Sequence, residues 1–295
     1  MRMKFGVVAI TAVAALALAG CGSSSTDTTA STTPSASASA TSASLNDMLP
    51  ADIKAKGSML FGVDASYAPD EYVGTDGKTI EGMDIDLMNA IVAKLGIKAE
   101  YVNAPFDSII PAIGSGKYDG GMSSFTINAE REKVVDFVSY YTAGTSWAAP
   151  VGSKLTPDTA CGHKIAVQKG TVEVDDINAR NAACKKAGKP SITIDQYQAQ
   201  SDATTAVVSG KDEAMLADSP ITGYAIAQSS GKLALIGSVY GSAPYGIALP
   251  KAKGDLAKAF QAAVQAIMDD GTYNTILQKW GATDGAITKS EINPA

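Results

Sequence analysis

The sequence contains little of the chemistry on which most enzymes and metal sites depend. Its 295 residues include a single histidine, His163, and three cysteines. If the cysteine near the N-terminus, Cys21, is not available to a metal, the remaining two cysteines and one histidine make an incomplete zinc site. Glycine-rich phosphate loops and serine–histidine–aspartate sets are also missing. We therefore expect no metal, no cofactor and no enzymatic activity.

An excess of positive charge is missing as well. The formal net charge is −6 at pH 7, and it moves to −8 if an N-terminal segment that contains Arg2 and Lys4 is removed. A mildly acidic surface argues against binding to nucleic acid or to an anionic membrane through a basic patch.

Residues 1–20 have the pattern of a signal peptide. Arg2 and Lys4 precede an apolar run over 5–19, and the sequence then reads Leu-Ala-Gly-Cys up to Cys21. The run is short and no stop-transfer flank follows, which argues against a transmembrane helix. The motif resembles the lipobox of bacterial lipoproteins, which implies cleavage before Cys21 and attachment of a lipid to its sulfur. We therefore expect a lipid-anchored protein on the extracytoplasmic face of the cell membrane.

Residues 21–44 are almost entirely serine, threonine and alanine. Such a composition cannot bury enough apolar surface to fold, so we predict a disordered tether with an average span of about 25–30 Å. Cys161 and Cys184 remain in the rest of the chain. An exported protein meets oxidising conditions, which favours a disulfide between them over two buried free thiols.

The chain from residue 45 to 285 alternates short apolar strands with amphipathic helices. This alternation is typical of α/β folds in which helices cover both faces of a parallel sheet. The pattern restarts near residue 164, which indicates two similar lobes. The predicted elements are strand 59–63, helix 82–95, strand 99–103, helix 106–113, strand 118–123, strand 164–168, helix 173–186, strand 191–197, helix 202–209, strand 213–217, helix 220–228, and one or two helices in 254–280 with a break near Asp270–Gly271.

Polar side chains follow three of the predicted strands. Ser124 and Thr126 come after strand 118–123, Thr171 after strand 164–168, and Asp218 after strand 213–217. Ligands of open α/β sheets bind at the carboxyl ends of strands, where helix N-termini favour anions. Two lobes that face each other would form a cleft for a small molecule.

Arg131 lies near the start of a short predicted helix, close behind these hydroxyls. It could join them in binding an anion. Alternatively, the hydroxyls cap the helix while Arg131 shares a solvated face with Glu130 and Glu132.

Several stretches resemble the family 3 solute-binding proteins of polar amino-acid ABC importers. The resemblance covers essentially all of the chain after the tether, in the order and spacing of the family. The stretches are DASYAPDEYVGTDGKTIEGMDIDLMNAIVAKLG (64–96), DSIIPAIGSGKYDGGMSSFTINAEREKVVDFVSYY (107–141), KIAVQKGT (164–171), GKDEAMLADSPITGYA (210–225), YGIALPK (245–251) and DDGTYNTILQKWG (269–281).

The resemblance implies a two-lobed α/β fold, the type II periplasmic-binding-protein fold, with two hinge crossings. We place the crossings near Tyr141–Gly144 and Ser238–Ala243. The expected domains are lobe one at 45–143 and 241–285, lobe two at 144–240, and a C-terminal tail at 286–295.

The same resemblance assigns roles to individual residues. Arg131 matches the arginine that binds the α-carboxylate of the ligand, and a guanidinium suits that role because it offers paired N–H donors. Ser124 and Thr126 match donors to the same carboxylate or partners of the ligand's amine, and Thr171 matches a donor from across the cleft. Asp218 matches the carboxylate that binds the α-ammonium, although it could also cap the following helix.

Tyr67 and Phe106 match aromatic positions that pack on the ligand's side chain, and Asp64 matches an acid at the edge of the cleft. Phe106 could equally belong to the core. Many relatives have phenylalanine where this chain has Asp70, followed by Glu71. These acids favour a polar or cationic ligand side chain, unless Asp70 and Glu71 face solvent in a turn.

The function implied by the resemblance is capture of an amino acid and its delivery to an ABC permease with its ATPase. We expect a monomer without chemistry of its own, held at the membrane only by its lipid. Two alternatives remain open at this point. Some proteins of this fold are cyclohexadienyl dehydratases, and others pass ligand occupancy to a sensor kinase as receptor subunits.

Overall fold

The computed structural model describes residues 45–295. The predicted signal peptide at 1–20, the predicted lipidation site at Cys21 and the predicted tether at 21–44 lie outside the described residues. No helix within 45–295 is long and apolar enough to cross a membrane.

Helices and strands alternate along the described chain. In chain order they are α1 (Ala51–Lys56), β1 (Ser58–Val63), β2 (Ser66–Tyr67), β3 (Glu71–Val73), β4 (Ile80–Glu81), α2 (Met83–Lys94), β5 (Lys98–Asn103), α3 (Phe106–Gly114), β6 (Gly120–Thr126), α4 (Ala129–Glu132), β7 (Val135–Pro150), β8 (Lys164–Gln168), α5 (Val172–Lys186), β9 (Thr193–Tyr197), α6 (Gln200–Val208), β10 (Ala214–Asp218), α7 (Ser219–Gln228), β11 (Leu233–Pro250), α8 (Leu256–Asp269) and α9 (Thr272–Trp280).

The sheet is mixed, and two long strands run through both lobes. Its order is β5-β1-β6-β11-β7-β10-β8-β9. Lobe one contributes the parallel strands β5, β1 and β6, and lobe two contributes the parallel strands β10, β8 and β9. Strands β7 and β11 are antiparallel partners, and their register shifts between Ile236 and Tyr240 and again between Tyr240 and Ala243. These shifts fall in the segment where we expect the hinge.

Each lobe has its own apolar core. The main core of lobe one lies between the sheet and helices α2, α8 and α9, and it includes the fully buried Phe61, Leu87 and Phe260. A second cluster under α3 contains Phe106 and Phe125. The core of lobe two surrounds the fully buried Trp147 and includes Cys184. Burial of one large apolar side chain contributes about 1.5–3 kcal/mol, so each cluster can stabilise its own lobe.

Cys161 and Cys184 form the expected disulfide. Cys184 lies on α5, and Cys161 lies in the loop before β8. The bond therefore ties the start of lobe two to the far end of its first helix.

Periodicity predicted the alternating elements to within a few residues. It missed the three short strands β2, β3 and β4, which form a separate small sheet, because their two or three residues show no period. It also missed the short helix α1 and the two long strands β7 and β11. Strand β6 runs on to Thr126 and β10 runs on to Asp218, so Ser124, Thr126 and Asp218 lie within the ends of strands instead of following them.

The segment 286–295 packs along β7 in lobe one. Ile292 forms a β-bridge with Val138, and the backbone N–H of Ser139 donates to the carbonyl of Glu291 at 2.9 Å. The buried Ser290 hydroxyl donates to the carbonyl of Ser139 at 2.7 Å. This segment therefore extends the sheet of lobe one as a short additional edge.

Candidate ligand-binding site

The carboxyl ends of strands from both lobes meet at one place. Thr126 ends β6 in lobe one, Asp218 ends β10 in lobe two, and Thr171 follows β8. The Tyr67 hydroxyl of lobe one donates to Asp218 Oδ2 of lobe two at 2.7 Å. The predicted residues of the two lobes therefore face each other across a cleft.

Arg131 is held in this cleft by local structure. The side chain of Asn128 caps α4 by accepting a hydrogen bond from the Arg131 backbone N–H at 2.9 Å. The guanidinium then turns back, with Nη1 donating to the carbonyl of Thr126 at 2.6 Å and Nη2 donating to the carbonyl of Gly170 at 3.1 Å. These bonds place Arg131 at the cleft, so the solvated-face alternative is wrong.

Two aromatic rings support the same guanidinium. Its central carbon lies 5.3 Å from the ring centre of Phe106 and 5.8 Å from that of Phe125. The two rings are stacked, with centres 4.9 Å apart. Cation–π attraction over such rings orients a guanidinium without neutralising its charge.

Asp218 is buried, with 5% of its surface exposed. It occupies the N-cap position of α7, but its side chain makes no capping hydrogen bond. Burial, together with the negative charge of Glu173, raises the pKa of Asp218 well above the ordinary range. The carboxylate is thus directed to the cleft, where a cationic ligand group would relieve its burial.

Glu173 is a buried acid of the cleft that the sequence analysis did not identify. It lies in the first turn of α5, two residues after Thr171, and only 1% of its surface is exposed. The Thr145 hydroxyl donates to Glu173 Oε1 at 2.8 Å. Burial raises the pKa of Glu173, while the charge of Arg131 lowers it. Thr171 is the N-cap of α5, and its hydroxyl donates to the carbonyl of Gln168 at 2.9 Å.

Asp70 and Glu71 are both completely buried, so the alternative that they face solvent is wrong. The Ser124 hydroxyl donates to Asp70 Oδ2 at 2.9 Å, and the Ser123 hydroxyl donates to Glu71 Oε1 at 2.6 Å. Burial and the nearby charge of Asp84 raise the pKa of both acids well above the ordinary range.

Asp84 completes this acidic group. It accepts hydrogen bonds from the Ser124 backbone N–H at 3.0 Å and from the Tyr140 hydroxyl at 2.6 Å. Burial raises the pKa of Asp84 to about 6. One oxygen each of Asp70, Glu71 and Asp84 has no hydrogen-bond partner among residues 45–295.

Ser124 is held in an unusual backbone conformation between these acids. Its φ is 49°, which is rare for a residue with a side chain. Such strain costs on the order of 1–3 kcal/mol and persists where the surroundings fix it, often at functional sites. Here the backbone N–H and the hydroxyl of Ser124 both bind acids, which fixes the end of β6 beside the cleft.

Asp64 and Phe106 make more contacts within the protein itself than sequence reasoning predicted. Asp64 is 5% exposed and accepts hydrogen bonds from Ser66, Phe106 and Gln168. Phe106 packs in the cluster under α3 and on Arg131. Contact of either residue with a ligand stays a prediction, as do the ligand roles of Ser124, Thr126, Thr171 and Tyr67.

More acidic than basic side chains lie around the cleft. Arg131 supplies one guanidinium, the buried carboxyl groups of Asp218 and Glu173 lie close enough to act on its charge, and the buried Asp70 lies close enough to Asp218 to be affected by that acid. Their charges act on one another, since Asp218 and Glu173 oppose the lowering of the Arg131 pKa by burial and Asp218 adds to the raised pKa of Asp70. Such a site can bind one anionic group and more than one cationic group.

Sequence reasoning also missed Tyr140, which donates a hydrogen bond to Asp84, and Tyr245, whose ring centre lies 6.1 Å from that of Tyr140. The Tyr245 hydroxyl is fully buried and has no hydrogen-bond partner within the described part of the chain. In the sequence, Tyr245 resembles an ordinary core tyrosine of a strand, so no local pattern marks it as a residue of the site.

No group of three or more histidine, cysteine, aspartate or glutamate side chains in residues 45–295 is arranged to bind a metal ion. His163 pairs through Nδ1 with Glu213 near the start of β10, apart from the residues of the cleft.

Comparisons with known proteins agree with this geometry. Residues 59–283 match the family model described as bacterial extracellular solute-binding proteins, family 3. The arginine-binding protein ArgT of Corynebacterium glutamicum is 35% identical over 249 residues, which cover 83% of this chain and 81% of that protein. The glutamine-binding protein GlnH of Bacillus subtilis is 29% identical over 249 residues, covering 82% and 88%.

A solved structure of an ancestral arginine-binding protein bound to arginine is also similar. Its TM-score is 0.70 at 31% identity, and the match covers 76% of this chain and 98% of that one. The expected two-lobed α/β fold of periplasmic binding proteins is thereby confirmed. With the family model matching most of its length, the chain belongs to the bacterial extracellular solute-binding proteins, family 3.

Proposed function

We propose that the protein captures a cationic amino acid, arginine before others, outside the cell membrane and delivers it to an ABC importer. The observation that carries the choice of ligand is the charge imbalance of the cleft, one guanidinium against three buried carboxyl groups. The similarity to arginine-binding relatives supports the same choice.

The proposed contacts follow from this imbalance. Arg131 binds the α-carboxylate, because its planar fork matches a carboxylate and its position is fixed by the carbonyls of Thr126 and Gly170. Asp218 binds the α-ammonium. Glu173 and Asp70 then face the cationic side chain.

A ligand with one anionic and two cationic groups balances this site better than a neutral amino acid does. Arginine and lysine carry such a set, while glutamine lacks the second cation and glutamate replaces it with an anion. Asp70 takes the place of the phenylalanine found in many relatives, which removes an apolar wall and adds a carboxyl oxygen without a partner in the described residues. Burying a second ligand anion beside these acids would be strongly unfavourable.

We expect arginine to bind most tightly, followed by lysine, then glutamine and citrulline, with leucine and glutamate weakest. Citrulline is the matched control for arginine, since it has nearly the same shape without the charge. Isothermal titration calorimetry on one preparation, supported by thermal shifts at ligand excess, measures this order. Tightest binding by glutamate would contradict the charge argument, whereas binding of none of these ligands would contradict the proposed function.

Binding of arginine should release protons and strengthen as the pH rises. Burial raises the pKa values of Asp218, Glu173 and Asp70, so these groups keep their protons at pH values above the ordinary carboxyl pKa of about 4. A bound cation lowers their pKa, so the complex holds fewer protons than the free protein. Affinity then increases with pH from about 4 up to the raised pKa values and weakens as the pH falls through that interval.

Calorimetry at pH 7 in buffers with different ionisation enthalpies measures the number of protons released. Arginine should release more than citrulline does. Equal proton release for the two ligands would show that the side-chain cation does not meet the buried acids.

The partners and location follow from the family and from the N-terminal sequence. An ABC permease with its ATPase would receive the ligand from the closed protein. The family is extracellular or periplasmic, and we propose in addition that lipid on Cys21 anchors a monomer to the membrane through the tether at 21–44. Mass spectrometry of the membrane-extracted protein would test the modification.

The relatives named above are binding proteins, which favours binding over the dehydratase alternative. Glu173 is nevertheless a buried carboxyl group with a raised pKa, the kind of group that could act as a general acid. Incubation with prephenate and arogenate, followed by absorbance of the aromatic product, should show no turnover above the rate without protein.

A further inference from the structure

The turn between β8 and α5 contacts lobe one directly. Gln168 Nε2 donates to Asp64 Oδ2 at 2.8 Å, and Lys169 Nζ lies 2.8 Å from Asp107 Oδ2. Asp64 follows β1, and Asp107 lies in the first turn of α3. Sequence reasoning assigned no role to Gln168 and Lys169, yet both side chains form bonds across the cleft.

Gly170 brings the two lobes into close contact at the same turn. Its φ is 83°, and a Cβ at this position would lie 2.7 Å from the Cβ of Asp107. No side chain fits in that space. The tip of the turn therefore packs on the beginning of α3 without an intervening layer.

The start of α6 and the residues before it supply two more bonds across the cleft. Gln198 Nε2 donates to Asp107 Oδ1 at 2.8 Å, and the backbone N–H of Gln200 donates to Ser66 Oγ at 3.0 Å. Asp107 thus binds Lys169 through one oxygen and Gln198 through the other.

The carboxylate of Asp64 is fully used by protein donors. Oδ1 accepts from the backbone N–H and the hydroxyl of Ser66, and Oδ2 accepts from the backbone N–H of Phe106 and from Gln168. A carboxylate with four donors needs no ligand cation to satisfy it.

We infer that Asp64, Asp107, Gln168, Lys169 and Gln198 form a clasp that holds the lobes closed independently of the ligand. The four bonds across the cleft made by these residues and Ser66 include none of Arg131, Asp218, Glu173 and Asp70, the groups that we assign to the amino acid. The clasp therefore sets the ratio of closed to open protein before binding. A larger closed fraction raises the apparent affinity for every ligand by the same factor, since the apparent dissociation constant is the intrinsic one divided by that fraction.

The experiment compares the distance between the lobes in the wild type and in the Gln168→Ala/Lys169→Ala variant, without added amino acid. Spin labels attached to azido residues encoded at positions 98 and 189, both exposed, leave the disulfide intact. Double electron–electron resonance then gives the closed and open populations.

We expect a substantial closed population in the wild type and a shift of the closed-to-open ratio toward open by at least about tenfold in the variant, because Asp64 loses a charge-assisted hydrogen bond. The control variant Gln196→Ala/Lys185→Ala changes the same residue types at exposed positions of lobe two and should match the wild type. If the double variant does not fold, Lys169→Ala alone should still shift the ratio by about two- to fivefold.

A fully open wild type, or equal distributions in the wild type and the clasp variant, would overturn the inference. The measurement needs no ligand, so it tests whether the clasp holds the lobes closed even if the proposed ligand is wrong. Conversely, a clasp variant that opens while calorimetry detects no amino acid would leave the clasp in place and reject the proposed function.

Discussion

Replacing Arg131 with alanine should nearly abolish amino-acid binding while leaving the protein folded. The guanidinium is positioned by two carbonyls, at 2.6 Å from Thr126 and 3.1 Å from Gly170, and by the rings of Phe106 and Phe125. Its loss would leave the ligand's carboxylate buried without a partner. Removal of one member of a buried, hydrogen-bonded charge pair costs about 2–5 kcal/mol, which corresponds to roughly 30- to 5000-fold in affinity.

Calorimetry on the folded variant measures this effect, with circular dichroism as the check on the fold. Lys133→Ala is a suitable control, because Lys133 is an exposed cation two residues further along that pairs with Glu130. It should bind as the wild type does. A loss of less than threefold in Arg131→Ala would remove Arg131 from the site.

The Asp218→Asn variant should lose affinity for all α-amino acids to a similar extent, at least about 30-fold. Asparagine keeps the shape and can still accept a hydrogen bond from Tyr67, which now binds Asp218 Oδ2 at 2.7 Å. The negative charge that would pair with the α-ammonium is lost. Because every α-amino acid carries this group, the ratio of arginine to citrulline affinity should stay the same.

That ratio distinguishes the role of Asp218 from that of the side-chain acids. A selective loss of arginine binding would place Asp218 at the ligand's side chain, and no loss would exclude it from the site. Asp202→Asn, at an exposed aspartate in the first turn of α6, controls for the change in net charge.

Local sequence patterns predicted the parts of the site that follow strand ends. Ser124 and Thr126 at the end of β6, Thr171 at the start of α5 and Asp218 at the end of β10 stand where alternating strands and helices place cleft residues. Such positions can be predicted from the sequence because the period of a strand or helix depends on neighbouring residues. The spacing of Arg131 behind the hydroxyls left its role open, and its assignment to the site came from the resemblance to the family.

The buried acids could not be predicted in the same way. Asp84 and Glu173 are charged residue types that are almost never fully buried unless paired, so a sequence-based interpretation places them at the surface. For Asp70 and Glu71 the sequence left a place beside the ligand and exposure in a turn both open. Their burial depends on hydroxyl groups from β6 and β7 that are distant in sequence. Gln168 and Lys169 likewise contact Asp64 and Asp107 only when the second lobe packs against the first.

The pairing of β7 with β11 has a topological consequence for lobe two. Pro150 at the end of β7 is the register partner of Leu233 at the start of β11, so the chain leaves and re-enters this strand pair at adjacent points. Residues 151–232 are thus an insert whose two ends are already neighbours, the arrangement in which domain insertion and circular permutation are tolerated. A substitute insert from another binding protein would need only two junctions, both on one pair of strands.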